Sequence, residues 1–350
     1  MNHSNVLTPL PIARTSNDYA ELKRLIKEAG LLEKQPAYYT AKILVLLAML
    51  ILSIVFLLSV HSFGLQLLNA AYLAIVTTQL GLLGHDAGHR QVFHATWKND
   101  VVGFITGNLL IGISHSWWMD KHNKHHSHPN QHDLDPDINI PIIAFGEDDL
   151  RRGGWLVQFL MKYQAYFFFP VLLIVAMNLQ LQGVRFLLRE KVKYAAVEWS
   201  LLGLHFLCYF GLLFSHFAPW QAILFILVHQ GLSGLYLGSI FAPNHKGMPV
   251  LETDSKMDFL HRQVITARNV HAHPFTDFWY GGLNYQIEHH LFPSMPRNQL
   301  KKAQHIIRDF CQTHAIPYYE TSSMRSYVEI LQALHLLSAP LRQKSMHVAD

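Results

Sequence analysis

The sequence predicts an all-α integral membrane protein in which four transmembrane helices carry a helical cap on one side. Three observations support this. Half of the residues are hydrophobic and only 15% are charged, with a mean hydropathy of +0.14, whereas a soluble globular chain carries about 25% charged residues. Four apolar runs reach the roughly 18–20 residues that a helix needs to cross a bilayer. The 24 histidines cluster beside the ends of those runs, and neutral imidazole is the commonest metal ligand among side chains.

The elements follow in order. Residues 1–40 are polar, with Asp18, Glu21, Lys23, Arg24, Lys27 and Glu28, which argues against a signal peptide. Within them, residues 19–34 have the spacing of an amphipathic helix, expected on the cytoplasmic side. The runs 43–60 and 63–84 are uncharged and form one hairpin (43–84). The runs 195–217 and 220–242, split by Ala218-Pro219, form a second (195–242). Glu198 near one end requires an interfacial or protein-facing position. The run 165–181 is flanked by Arg151, Arg152 and Lys162 before it and by Arg185, Arg189, Lys191 and Lys193 after it. Basic residues mark the cytoplasmic side, so both flanks belong there. The run is therefore read as in-plane or re-entrant, with Pro170 in its middle. The shorter run 101–113 is treated alike. Residues 85–194 and 243–350 then form one cytoplasmic cap, and 1–350 a single domain.

Other classes lose support. The net charge of +4 sits beside membrane runs and marks topology, not a nucleic-acid surface. Cys208 and Cys311 provide no disulfide framework and no thiolate set for zinc or an iron–sulfur cluster.

Three clusters carry the chemistry. His85-Asp86-Ala87-Gly88-His89 closes the second span, and its histidines at i and i+4 share a helical face. His122-Asn123-Lys124-His125-His126 repeats the i and i+4 pair with a third imidazole between, so its adjacent histidines can serve two metals. Gln286-Ile287-Glu288-His289-His290 repeats that spacing with Gln286 in the place of His122. The repeat predicts two similar ligand sets facing each other. His245 ends the fourth span as His85 ends the second, which makes it a further candidate ligand. Histidine sets suit iron, zinc or copper, whereas magnesium and calcium prefer oxygen; spacing alone leaves that choice open.

Around these, Asp86, Asp135 and Asp137 are candidates to orient metal-bound imidazoles through the second ring nitrogen, and Gln286 is a candidate weak ligand. Asp133, with Asp135 and Asp137, completes a short acidic run. His94, His115, His128, His132, His271 and His273 lie near the clusters in the chain as supporting or interfacial residues. His61, His205, His216 and His229 lie in or beside the spans and read as structural. Trp117 and Trp118 read as interfacial anchors, or alternatively as the lining of an apolar path.

The boxes HDAGH, HNKHH and QIEHH, in this order, resemble those of the membrane fatty acid desaturase family. The glutamine-first third box, within YGGLNYQIEHHLFP, is similar to that of front-end desaturases and linoleoyl-CoA-type bacterial relatives. The resemblance runs from about Tyr38 to Arg297 and includes the HSWW and DPDI segments. It implies a cap holding a non-haem di-iron centre, with His85, His89, His122, His125, His126, His289 and His290 as ligands, and His245 in the place of an extra ligand at the end of the fourth span. It implies insertion of a double bond into the acyl chain of a lipid or acyl-CoA, with O2 and two external electrons. Iron with O2 can remove hydrogen from C–H bonds that acid–base groups cannot break. The haem-binding His-Pro-Gly-Gly segment of fused cytochrome b5 domains does not occur in the sequence. A separate donor (ferredoxin, a flavin reductase or cytochrome b5) is therefore expected. The expected location is multi-pass in a bacterial cell membrane, among membrane lipids and with no nucleic-acid partner. A di-iron hydroxylase or acetylenase on the same scaffold remains an alternative. A histidine-rich metal transporter is disfavoured, because it would place ligands near the bilayer midplane.

Overall fold

The computed structural model describes residues 16–343. An N-terminal amphipathic helix, α1 (Ser16–Glu28), precedes the first hairpin, formed by α2 (Pro36–Ser59) and α3 (Phe63–Gly88). The part of the expected N-terminal segment before residue 16 lies outside the described residues. Next come α4 (Thr96–Gly103), a π-helical stretch (Phe104–Leu110), α5 (His115–Ser127), α6 (Trp155–Lys162), α7 (Gln164–Leu172) and α8 (Val175–Arg189). The second hairpin is α9 (Ala195–His216) and α10 (Pro219–His245). The chain then adds α11 (Phe259–Ile265), α12 (Pro274–Trp279), α13 (Gln286–Leu291), α14 (Leu300–Thr313), α15 (Ser323–Leu337) and α16 (Ala339–Gln343). The strands β1 (Asn269–Val270) and β2 (Glu320–Thr321) form one short parallel pair.

Four helices, α2, α3, α9 and α10, are long and apolar enough to cross a membrane. They do not share burial equally. In their most apolar windows, 50% of α3 and 44% of α10 is buried, against 17% of α2 and 22% of α9. The inner pair therefore carries the cap, and the outer pair presents leucine and isoleucine to lipid, among them Leu52, Leu58 and Leu207. The run 165–181 is broken: α7 and α8 meet at a bend of 73° just after Pro170. Gly234 of α10 lets this break pack closely, because a Cβ there would collide with the Leu172 carbonyl. The protein-facing position expected for Glu198 is observed. Its carboxylate accepts hydrogen bonds from Asn108 Nδ2 at 2.9 Å and Ser114 Oγ at 2.7 Å, which anchors the π-helical stretch to α9.

α10 continues three residues past the apolar run and through Pro243. A proline inside a helix leaves the carbonyl four residues earlier without its donor. Here that carbonyl is Ser239 O, and the Tyr327 hydroxyl donates to it at 2.8 Å. The helix thus reaches His245 with its backbone satisfied. The cap has its own core, in which Leu22 and Ile26 of α1 pack with Ile287 and Leu291 of α13 and Ile307 of α14.

Candidate metal centre

Each box is delivered by the C-terminal end of a helix. His85 and His89 stand at the end of α3, His125 and His126 in the last turn of α5, His245 at the end of α10, and His289 and His290 at the end of α13. Helix C-termini carry partial negative charge, so four of them directed at one place favour a cation there.

The histidines divide into two sets. His85, His89, His122, His126 and His289 bring one ring nitrogen each to within 4.8 Å of one another, and His125, His245 and His290 form a second such group. The adjacent histidines separate as expected: His126 and His289 go to the first set, His125 and His290 to the second. The expectation of similar sets is corrected, because the sets hold five and three imidazoles. His122 and His126, at i and i+4, share a face of α5 and both turn to the first set. Gln286, the residue in the place of His122, lies at the second set, with Nε2 2.9 Å from His245 Nε2.

The donor chemistry fits metal ions. In the first set Nε2 atoms are 2.8 Å apart between His89 and His122, 3.1 Å between His122 and His126, and 3.2 Å between His126 and His289. In the second, His245 Nε2 lies 3.3 Å from His125 Nε2 and 3.0 Å from His290 Nε2. A shared proton satisfies one pair of neutral imidazoles, not a convergent cluster. His85 Nε2 is buried with no hydrogen-bond partner. Nitrogens bound at about 2.1 Å would stand up to ~4.2 Å apart across a metal, close to the observed spread.

Electrostatics keeps most of these rings in the metal-binding form. Burial, reinforced by neighbouring imidazoles, holds His89, His122, His126, His289 and His290 well below the ordinary histidine pKa, and therefore neutral. His125 differs: burial alone would lower it, but the carboxylates of Asp135 and Asp137 overcome that and raise it.

The outer nitrogens show how the sets are held. His125 Nδ1 is 3.0 Å from both carboxylate oxygens of Asp135 and 3.5 Å from Asp137, which also pairs with Lys121. His245 Nδ1 donates to Thr266 O at 2.9 Å, and His290 Nδ1 to Gln263 Oε1 at 2.8 Å. An Nδ1–H donated outward leaves the Nε2 lone pair facing inward. The second set is thus fixed by three outer bonds. In the first, His126 Nδ1 and His289 Nδ1 have no partner, and His85 Nδ1 stands 3.5 Å from Asp86. Gln263 and Thr266 were not foreseen, since an amide and a carbonyl leave no pattern in the sequence.

An apolar cavity of about 420 Å³ opens at the first set, within the usual size range of small-molecule sites. His85 and Trp118 stand at this end, and Leu57, Leu213 and Phe225 also line it. Trp118 stacks on His122, with ring centroids 4.4 Å apart, so it lines the path; Trp117 is buried in the fold. His205 and His229, read as structural, join neither set and line the cavity, with His205 Nδ1 donating to Leu109 O at 2.9 Å. His229 lies 2.7 Å from the Tyr209 hydroxyl and 3.2 Å from that of Thr77. His61 is exposed and away from the site, and His216 is only partly buried. His115 also lines the cavity, whereas His94, His128, His132, His271 and His273 join neither set.

The fold and site define a class: a multi-span membrane protein with a two-set histidine centre suited to metal, next to an apolar cavity that His85 lines. The family described as fatty acid desaturase matches residues 61–322. The chain belongs to the fatty acid desaturase family. It is 31% identical to the acyl-lipid (9-3)-desaturase of Physcomitrium patens across 93% of its own length and 63% of that enzyme's. It is 30% identical to the delta(8)-fatty-acid desaturase of Helianthus annuus, across 95% of the chain and 75% of the enzyme. It is 28% identical to the delta(6)-fatty-acid desaturase fat-3 of Caenorhabditis elegans, across 93% and 76%. The chain therefore spans less than two thirds of the moss enzyme and about three quarters of the other two.

Proposed function

We propose that this protein is an O2-dependent fatty-acyl desaturase with a non-haem di-iron centre. The observation that carries the reading is the pair of histidine sets next to an apolar cavity that His85 lines. The names of the moss, sunflower and nematode relatives support it, since all three are desaturases. His85, His89, His122, His126 and His289 would hold one iron, and His125, His245 and His290 the other, with Gln286 beside it. Bound iron supplies, with O2, the oxidising power to remove hydrogen from unactivated C–H bonds. The protein's own work is positioning. The apolar walls hold the chain of an acyl lipid or acyl-CoA and exclude water, and Trp118 directs it past His85. Electrons come from a separate donor such as a ferredoxin, a flavin reductase or cytochrome b5.

The test is metal content and product on one preparation. About two irons per chain and a product two hydrogens lighter are expected. Stoichiometric zinc in active protein would refute the iron chemistry, and a product heavier by one oxygen would make the enzyme a hydroxylase.

Gln286 separates a ligand from a packing residue. Its amide is held by Asn244, whose Nδ2 donates to Gln286 Oε1 at 2.9 Å. Asn244 Oδ1 has no other partner, so turning both amides over keeps that hydrogen bond and presents Gln286 Oε1 to the second set. Gln286→Ala is expected to keep most of the iron and lose most of the turnover, because water replaces an amide oxygen more readily than an imidazole. Full activity in that variant would reduce Gln286 to packing. Iron loss equal to that of His290→Ala would make it a structural ligand.

The cap belongs on the cytoplasmic side in this reading. In a Cys208→Ser background, cysteines at Ser127, Arg152 and Lys301, all exposed, should react with an impermeant reagent only from that side. Cysteines at Ser62 and Ala218 should react only from the other. Opposite-side labelling of Ser127 and Lys301 would exclude a shared centre.

A further inference from the structure

Arg297 belongs to none of the boxes, yet its charge is buried, 6% exposed, beside the still more buried Asp86 at 2%. Its Nε pairs with Asp86 Oδ2 at 2.8 Å, and its Nη2 donates to Leu82 O at 2.7 Å. The Tyr39 hydroxyl of α2 lies 3.1 Å from the same carboxylate oxygen and 2.8 Å from Gln91 Oε1. It also accepts the Arg297 backbone N–H at 3.2 Å. The other carboxylate oxygen, Asp86 Oδ1, faces His85 Nδ1.

The turn before the third box is shaped around this side chain. Gly281 and Gly282 have φ of +58° and +85°, which glycine adopts without penalty. A Cβ on either would stand 2.9 Å from Arg297, at Nη1 and Cγ respectively. Two glycines, a guanidinium, a carboxylate and a phenol from four parts of the chain thus enclose one ion pair. That pair ties the helix bearing His85 and His89 to the segment that follows His289.

We infer that Arg297 is a positioning residue for the five-histidine set: through Asp86 it fixes the His85 ring and holds the first and third boxes at metal-binding distance. This rests on the reading of the centre as two metal sites. The three-histidine set has its own outer bonds, to Asp135, Thr266 and Gln263, and does not depend on Arg297. The first set has no other fixed outer bond among its described partners: His126 Nδ1 and His289 Nδ1 are unpartnered. Loss of the guanidinium would leave the Asp86 carboxylate buried without its countercharge, free to turn towards His85 and draw that ring out of register.

The experiment is iron content and release of iron to a chelator from purified full-length protein in detergent, with thermal unfolding as the folding control. Wild type is expected to hold two irons. Arg297→Gln is expected to fall to about one, with the retained iron released at the wild-type rate. Arg297→Lys, which keeps the charge but cannot reach Asp86 and Leu82 O together as the guanidinium does, should keep two and release one of them faster. Tyr39→Phe removes only a hydroxyl from the same carboxylate and should accelerate the same iron to a smaller degree; it carries the test if Arg297→Gln does not fold. Two irons with unchanged release in Arg297→Gln, or equal acceleration of both irons in Arg297→Lys and Tyr39→Phe, would overturn the proposal. Fewer than two metals in wild type would instead overturn the two-metal reading beneath it.

Discussion

His126→Ala and His125→Ala are expected to abolish turnover by emptying different sites, although the two residues are neighbours in the chain. His126 Nε2 lies between those of His122 and His289, at 3.1 and 3.2 Å, whereas His125 Nε2 faces His245 at 3.3 Å. Removing an outer partner of a metal-bound imidazole typically costs 10–100-fold in affinity or activity. Removing the imidazole itself should exceed about 100-fold for the metal it holds. Each variant should therefore retain about one iron and no measurable desaturation. Asp135→Asn should weaken the same iron as His125→Ala, to a smaller extent, because His125 Nδ1 lies 3.0 Å from both oxygens of that carboxylate. Iron analysis and product analysis on the same samples check this. Near-normal turnover in either alanine variant would remove that residue from the centre. Loss of both irons from each would mean that the sets fold around metal as one unit.

Arg268→Met should give the largest loss of stability away from the histidines. Arg268 is fully buried and closes the C-terminal end of α10. Its Nε donates to Pro243 O and its Nη2 to Lys246 O, while Nη1 pairs with Glu329 at 2.7 Å. Methionine has a similar reach but no donors. Each buried acceptor left without a donor costs about 1–3 kcal/mol, and Glu329, 22% exposed at its side chain, loses the more buried of its two guanidinium partners, keeping Arg325 at 3.0 Å. The sum is about 3 kcal/mol or more, or roughly 4 °C in Tm for 350 residues at ~2.1 cal/mol/K of unfolding entropy per residue. The carbonyls released are those that set His245 in place, so the iron of the three-histidine set should become labile in the same variant. A Tm change under about 2 °C would show that water or a rearranged side chain replaces these bonds.

The membrane part of the fold was legible because hydropathy over a span-length window is a long signal with few rivals. The four runs correspond to α2, α3, α9 and α10, and the bend at Leu173 and Ile174 accounts for the fifth. What the runs hid was their ends. α2 starts at Pro36, before its apolar stretch, and α10 passes Pro243 with Tyr327, 88 residues beyond Ser239, supplying the missing donor. The boxes were legible because i, i+3 and i+4 spacing maps directly onto helix faces. Their division into five and three was not, since it depends on how α5 is rotated towards α3 and α13. The outer bonds were least legible. Arg297 reaches Leu82 across 215 positions, and Gln263 reaches His126 across 137. Pairings at such separations are created by packing and have no periodicity. That His205 and His229 border the cavity was illegible for the same reason: apolar neighbours in sequence do not reveal such a face.

The bend between α7 and α8 fixes the parity of the chain. His125 meets His245 and His290, so an even number of crossings must separate α5 from the end of α10, and α9 and α10 supply two. Parity constrains sameness of side but not which side. A chain inserted upside down would assemble the same histidine centre, facing the opposite compartment, with its geometry intact. Orientation must therefore come from features outside the centre, the basic flanks at Arg151, Arg152, Arg185 and Arg189 foremost. Substituting those arginines is expected to change the compartment that the cap faces without displacing a single histidine of the centre.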